Sequence, residues 1–205
     1  AVGKENAPKL YPKRTIGFYR PGLARTQLDW LRNDLATVPA NKLVVLMMHI
    51  PMNEIEDRAE LFKILADRPY SLSVSAHTHF QEHRFFTDKD GWLRPEPHHH
   101  VVNVTTCGSW WGGAPDALGI PHTTMRDGAP PGYSVFTFDG NQYKIEYRVS
   151  RKSPTYQMNV HAPDELPASK VTGTDILVNV FGGSEKSKVE ISFAGRPWRT
   201  MEKTV

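Results

Sequence analysis

Two apolar runs, each ending in a histidine, constrain this chain more than any other feature. Leu43-Val44-Val45-Leu46-Met47-Met48 leads to His49, and Leu72-Ser73-Val74-Ser75-Ala76 leads to His77. Each run has the length and apolar content of a buried strand. Between them, Arg58 to Arg68 carries Leu61, Ile64 and Leu65 on one helical face. A strand–helix–strand unit joins parallel neighbours, so the carboxyl ends of both strands lie on one rim of the sheet. His49, His77 and His79 are therefore expected to converge there. Neutral imidazole is a ligand for zinc, iron and manganese. An uninterrupted strand would point His77 and His79 to the same side. The favoured reading ends the strand at Ala76 and puts the pair on the loop that follows.

Composition narrows the function classes. With 205 residues, 39% hydrophobic and 10% aromatic, the chain has room for one domain and part of another and can bury a core. Its 25 basic and 22 acidic side chains leave a net charge of +3. That balance argues against a nucleic-acid partner. A single cysteine, Cys107, excludes an internal disulfide framework and reads as a small buried side chain. No apolar run reaches the ~18 residues that a membrane span needs.

Along the chain, residues 1–22 read as an extended lead-in with one short strand, marked by Pro8, Pro12, Pro21, Lys9, Lys13 and Arg14. Thr26 to Asp29 resembles a capping box, opening a helix with Leu28, Leu31 and Leu35 on its inner face and Trp30 beside them. Pro39 follows that helix. His83 to Thr87 is expected to be a short strand, Asp88 to Gly91 a turn, and Val101 to Thr105 a strand. Residues 108–132 hold six glycines and four prolines without periodicity, a long irregular loop of the functional kind. Tyr133 to Phe138 and Gln142 to Tyr147 alternate around Asp139-Gly140, a hairpin. Pro163, Pro167, Ser169 and Gly173 mark a linker. A second hairpin is expected from Ile176 to Phe181 and Val189 to Phe193, with a third strand near Met201. The expected division is 1–152 and 153–205.

The lone His49 before Pro51 and the Ala76-His77-Thr78-His79 block resemble the last two motif blocks of the calcineurin-like metallophosphoesterases. Trp110-Trp111-Gly112-Gly113 and the stretch Arg126 to Tyr133 resemble the bacterial multidomain branch of that family, which adds a C-terminal β module. The resemblance covers roughly residues 23 to 200. It implies an αββα mixed-sheet sandwich, of which this chain is the C-terminal half, followed by part of an all-β domain. It also implies two divalent metal ions (manganese, iron or zinc) whose bridging water attacks a phosphoester. His49 and His77 would bind one ion and His79 the other, with one ion or none retained by this segment alone. A periplasmic or secreted location follows from the same likeness.

The family's first three blocks, Asp-x-His, Gly-Asp-x-x-Asp and Gly-Asn-His-Asp/Glu, do not occur in this chain. The one Gly-Asn pair, Gly140-Asn141, is followed by Gln142. With Ala1 as the first residue, the reading is a C-terminal half cut upstream, its end at Val205 also a truncation. The bridging carboxylate and the catalytic acid would come from the other half. The segment alone would be inactive, and it would be partnered by that half or by a second copy.

Further candidates come with plainer readings. Trp110 and Trp111 are assigned mainly to packing, with at least one ring lining the cleft. Arg126 and Asp127 either clamp a phosphate or pair with each other. His98-His99-His100 reads as a solvated loop end before a strand, with His98 a candidate phosphate contact. His83, His122 and His161 stand alone in the sequence. Two other function classes remain open. One is a non-catalytic carbohydrate- or protein-binding β module, and the other a structural domain with an incidental zinc on three imidazoles.

Overall fold

A computed structural model describes residues 2–3, 19–103, 105–121 and 123–204. The chain is mixed α/β, and its sheet is mixed. In chain order, β1 (Val2–Gly3) pairs with β2 (Tyr19–Arg20), and α1 spans Arg25–Ala36. β3 (Val44–Met47), α2 (Arg58–Leu65) and β4 (Ser71–Ser75) form the expected strand–helix–strand unit. β5 (Glu82–Phe86) and β6 (His98–Val102) complete a four-stranded sheet ordered β3-β4-β6-β5. β3, β4 and β6 run parallel, and β5 is an antiparallel edge.

α1 starts two residues earlier than its sequence indicates. The Ala24 N–H donates to Gln27 Oε1 at 3.0 Å, half of a capping box, so Thr26 sits inside the first turn. Asp29 takes Arg25 and Arg32 as ion-pair partners, at 3.1 and 2.8 Å. Leu28 and Leu35 face inward, but Trp30 is 64% exposed and does not pack on the sheet. At the far end of α1, Arg68 donates to the carbonyls of Leu35 and Val38, a cation on the orphan acceptors of a helix C-terminus.

The helices cover one sheet face with Leu35, Val44, Met52, Leu61, Phe62, Leu65, Phe86 and Trp92. The β6 strand begins at His98, three residues before the expected start, and this corrects the reading of His98-His99-His100 as a solvated loop end. His98 and His100 are buried in this layer by the strand's period of two. The Met52 N–H donates to His100 Nε2 at 3.2 Å, so that nitrogen is an acceptor and Nδ1 carries the proton. His100 Nδ1 then donates to Ser73 Oγ at 2.7 Å, and the Ser73 hydroxyl donates to His98 Nε2 at 2.8 Å. His98 Nδ1 donates to Ser71 Oγ at 2.9 Å, while the Ser75 hydroxyl donates to His100 Nε2 at 3.0 Å. One backbone donor thus sets both tautomers. Burial holds His98 at about 4 and His100 at about 3, so both rings are neutral near pH 7.

The other sheet face lies under the hairpin of β7 (Gly132–Asp139) and β8 (Gln142–Val149), paired as expected around Gly140 with its φ of +60°. A second apolar cluster of Met125, Ala129, Tyr147, Val149 and Phe181 joins the long loop, the hairpin and the chain beyond.

The expected second hairpin does not form. β10 (Leu177–Val180) pairs instead with β9 (Met158–His161), and β11 (Glu190–Ile191) pairs with β12 (Arg199–Thr200). The chain still turns there, with the Gly183 N–H donating to Val180 O at 3.3 Å, and Gly182, at φ +63°, lies against the hairpin, where a Cβ would fall 3.2 Å from Tyr147 Cβ. Beyond residue 152 the described structure is two short ribbons and a 3-10 turn at Ala168–Gly173. They border an apolar cleft of about 300 Å³ that includes Met158, Val180, Ile191 and Trp198.

Candidate metal centre and its loop

The carboxyl ends of β3 and β4 sit side by side. The Met48 N–H donates to Val74 O at 3.0 Å and the Ala76 N–H to His49 O at 3.1 Å, so the register carries both chains to the rim. His49 Nε2 lies 3.0 Å from His77 Nδ1, with ring centroids 4.9 Å apart. The strand does end before the pair of histidines. His77 and His79 have φ of +72° and +56°, left-handed values that histidine adopts more readily than most residues and that recur at functional sites. Burial lowers the affinity of His77 for a proton, and the neighbouring His49 lowers it further, against an opposing pull from Glu54.

Two nitrogens bound to one ion at ~2.0–2.1 Å stand roughly 2.9–3.4 Å apart at right-angled to tetrahedral bond angles. The His49–His77 spacing fits two ligands of one cation. It does not complete a site: among the described residues no three His, Cys, Asp or Glu side chains form a ready metal cluster. Nor do two neutral imidazoles offset the charge of two dications. His79 turns aside. Its Nδ1 is bonded to Ser109 O, and its ring lies 4.6 Å from that of Trp110.

His79 thereby ties the rim to the long loop, which is irregular but pinned. The Trp110 N–H donates to Thr123 Oγ1 at 3.3 Å, and the Thr123 hydroxyl donates back to Trp110 O at 2.7 Å. Gly108, at φ +63°, brings its backbone so close to Thr123 that a Cβ would fall 1.9 Å from the carbonyl oxygen. Asp116 Oδ1 accepts from Leu118 and Ile120 N–H groups at 2.8 and 3.0 Å. Both indoles face solvent, Trp110 at 76% and Trp111 at 60% exposure, which corrects their assignment to packing.

Arg126 and Asp127 separate. The Arg126 guanidinium lies 4.4 Å over the Phe80 ring, next to His79. Asp127 accepts from the Gln81 N–H at 3.1 Å and the Ala129 N–H at 3.3 Å, and burial raises its pKa. It therefore braces the loop from inside. His98 is 2% exposed and lies at the amino end of β6, about 13 Å of strand away from the rim, so its assignment as a phosphate contact is corrected. His161 is exposed on β9, and His122 lies outside the described residues.

Sequence reasoning missed one polar cluster altogether. His83 Nδ1 is 2.8 Å from His99 Nε2, and His99 Nδ1 is 2.7 Å from the Tyr143 hydroxyl. The signal available was alternation: His99 falls on the strand face opposite His98 and His100, where the hairpin lands.

The C-terminal region of calcineurin-like phosphoesterases matches residues 99–205, just over half the chain. The chain belongs to that family. No curated protein and no solved structure matches it. Within this phosphoesterase region lie the pinned loop, Trp110, Trp111, Arg126 and the hairpin, while His49, His77 and His79 precede it.

Proposed function

We propose that this chain is one part of a metal-dependent phosphoester hydrolase, and that His49 and His77 hold a divalent cation at the carboxyl rim. The observation that carries this reading is the 3.0 Å approach of their ring nitrogens from strands 28 residues apart in sequence. Membership in the phosphoesterase family supports the reaction class. A bound divalent ion would lower the pKa of a bound water, making hydroxide available as the nucleophile toward phosphorus, and would offset charge on the phosphoryl oxygens. The chain's own residues do the positioning. His49 Nε2 and His77 Nδ1 face each other at the rim, with Glu54 as a nearby negative charge. Arg126, held over the ring of Phe80 next to His79, would give bidentate contact with a phosphoryl group.

A second ion would be held by His79, and carboxylates of the three motif blocks this chain lacks would complete both ligand sets. In this reading the four-stranded sheet is half of an αββα sandwich, and β3 is the strand beside which the other half adds. The metal is manganese, iron or zinc, and the compartment is periplasmic or extracellular. Calorimetric titration with Zn²⁺ tests the cation site. His49→Ala and His77→Ala should each weaken binding by at least the roughly 10–100-fold that loss of even an outer-shell partner costs. Unchanged affinity in both variants would refute the reading. A second reading, a binding module for carbohydrate or protein, draws on the apolar cleft beside exposed Trp198. Retained glycan binding with no cation site would favour it.

A further inference from the structure

We infer that the phosphoester this site takes carries a nucleobase, stacked on Trp110 and Trp111; the inference rests on the hydrolase reading above. Trp110 is the exposed neighbour of His79, and His79 stands two residues from His77, a backbone span of at most about 7 Å. A group whose phosphate sits at the rim therefore projects its ester substituent toward the indoles. The platform is preorganised. The reciprocal Thr123 bonds, the Gly108 approach and the Asp116 turn hold the loop backbone, so the rings are presented at little cost in ordering on binding.

The loop's polar groups point to a flat aromatic ring and away from a polyol. Asp127 spends both carboxylate oxygens on backbone N–H groups, Asp116 spends Oδ1 on two, and the Thr123 hydroxyl is engaged with Trp110. Sugar hydroxyls would need such acceptors. A nucleobase needs a π face, which every base offers. Arg126, held over the Phe80 ring next to His79, adds a cation for the phosphate.

The test is calorimetric binding of adenosine 5′-monophosphate, adenosine, ribose 5-phosphate and glycerol phosphate to the 205-residue chain. The monophosphate should bind about 5- to 150-fold tighter than glycerol phosphate, the range for stacking one base. Trp110→Ala should erase most of that preference, and Trp110→Phe should keep it. Because Trp110 is exposed, neither change disturbs a core. Adenosine should still bind His49→Ala, which separates failure of the platform from failure of the cation site. Equal affinity for adenosine monophosphate and ribose 5-phosphate, or a base preference that survives Trp110→Ala, would overturn the inference.

Discussion

His49 Nε2 stands 3.0 Å from His77 Nδ1 across the carboxyl ends of two neighbouring parallel strands. Neither ring is buried in the core, and the backbone at His77 is left-handed, with φ +72°. Two imidazole nitrogens, with Glu54 as a nearby negative charge, make part of a metal site and not a complete one. The isolated chain should therefore give no turnover of p-nitrophenyl phosphate or bis-p-nitrophenyl phosphate with added Mn²⁺, Zn²⁺ or Fe²⁺. Turnover that survives repurification and is lost in His49→Ala would show that the chain holds a complete centre.

Ser73 bridges two buried imidazoles, accepting from one and donating to the other. Ser73→Ala leaves His98 Nε2 and His100 Nδ1 without that partner. The expected loss is about 1–3 kcal/mol for each group left unsatisfied. Urea denaturation measures it, and a change within a few tenths of a kcal/mol would mean that the rings find other partners.

The same rings make stability depend on pH. Their folded values of about 4 and about 3 lie below the unfolded value of 6.5, so the unfolded chain binds more protons in between. The stabilisation is complete above pH 6.5 and is lost as pH falls toward 4 and then 3, by up to about 1.4 kcal/mol per pH unit for each imidazole. Arg84 and His99 act on His100, and the other contacts of the two rings are serines, the Met52 N–H and the rings of Phe86 and Trp92, so no carboxylate among these contacts compensates. Denaturation midpoints between pH 8 and 4 read this directly. A flat profile would contradict the buried network.

Among the described residues β3 has one strand neighbour, and its Met47 is 83% exposed. An open apolar edge pairs readily with another chain. Light scattering should therefore report self-association, reduced in Val45→Lys. A monodisperse 23.2 kDa monomer with cooperative unfolding would show that the sheet tolerates its open edge.

The strand–helix–strand unit was legible because local pattern and tertiary role agree there: apolar runs make β3 and β4, and Leu61 and Leu65 face them. The His98–His100 strand was not, since buried imidazoles become acceptable only once Ser71, Ser73, Ser75 and the Met52 N–H are alongside, and those are long-range partners. The β10 strand went to β9 and not β11 because Phe181 packs on Tyr147, a contact between residues 34 apart that no local turn signal encodes. For the site, the convergence of His49 and His77 followed from strand polarity alone. The turning of His79 toward Ser109 depends on where the long loop lands, which glycine and proline content does not fix.

Crystals of the chain soaked in zinc provide the most direct test. An anomalous peak at about 2.0–2.1 Å from both His49 Nε2 and His77 Nδ1 is the expected result. A peak bound elsewhere, with the two imidazoles still hydrogen-bonded to each other at saturating zinc, would contradict the proposed cation site.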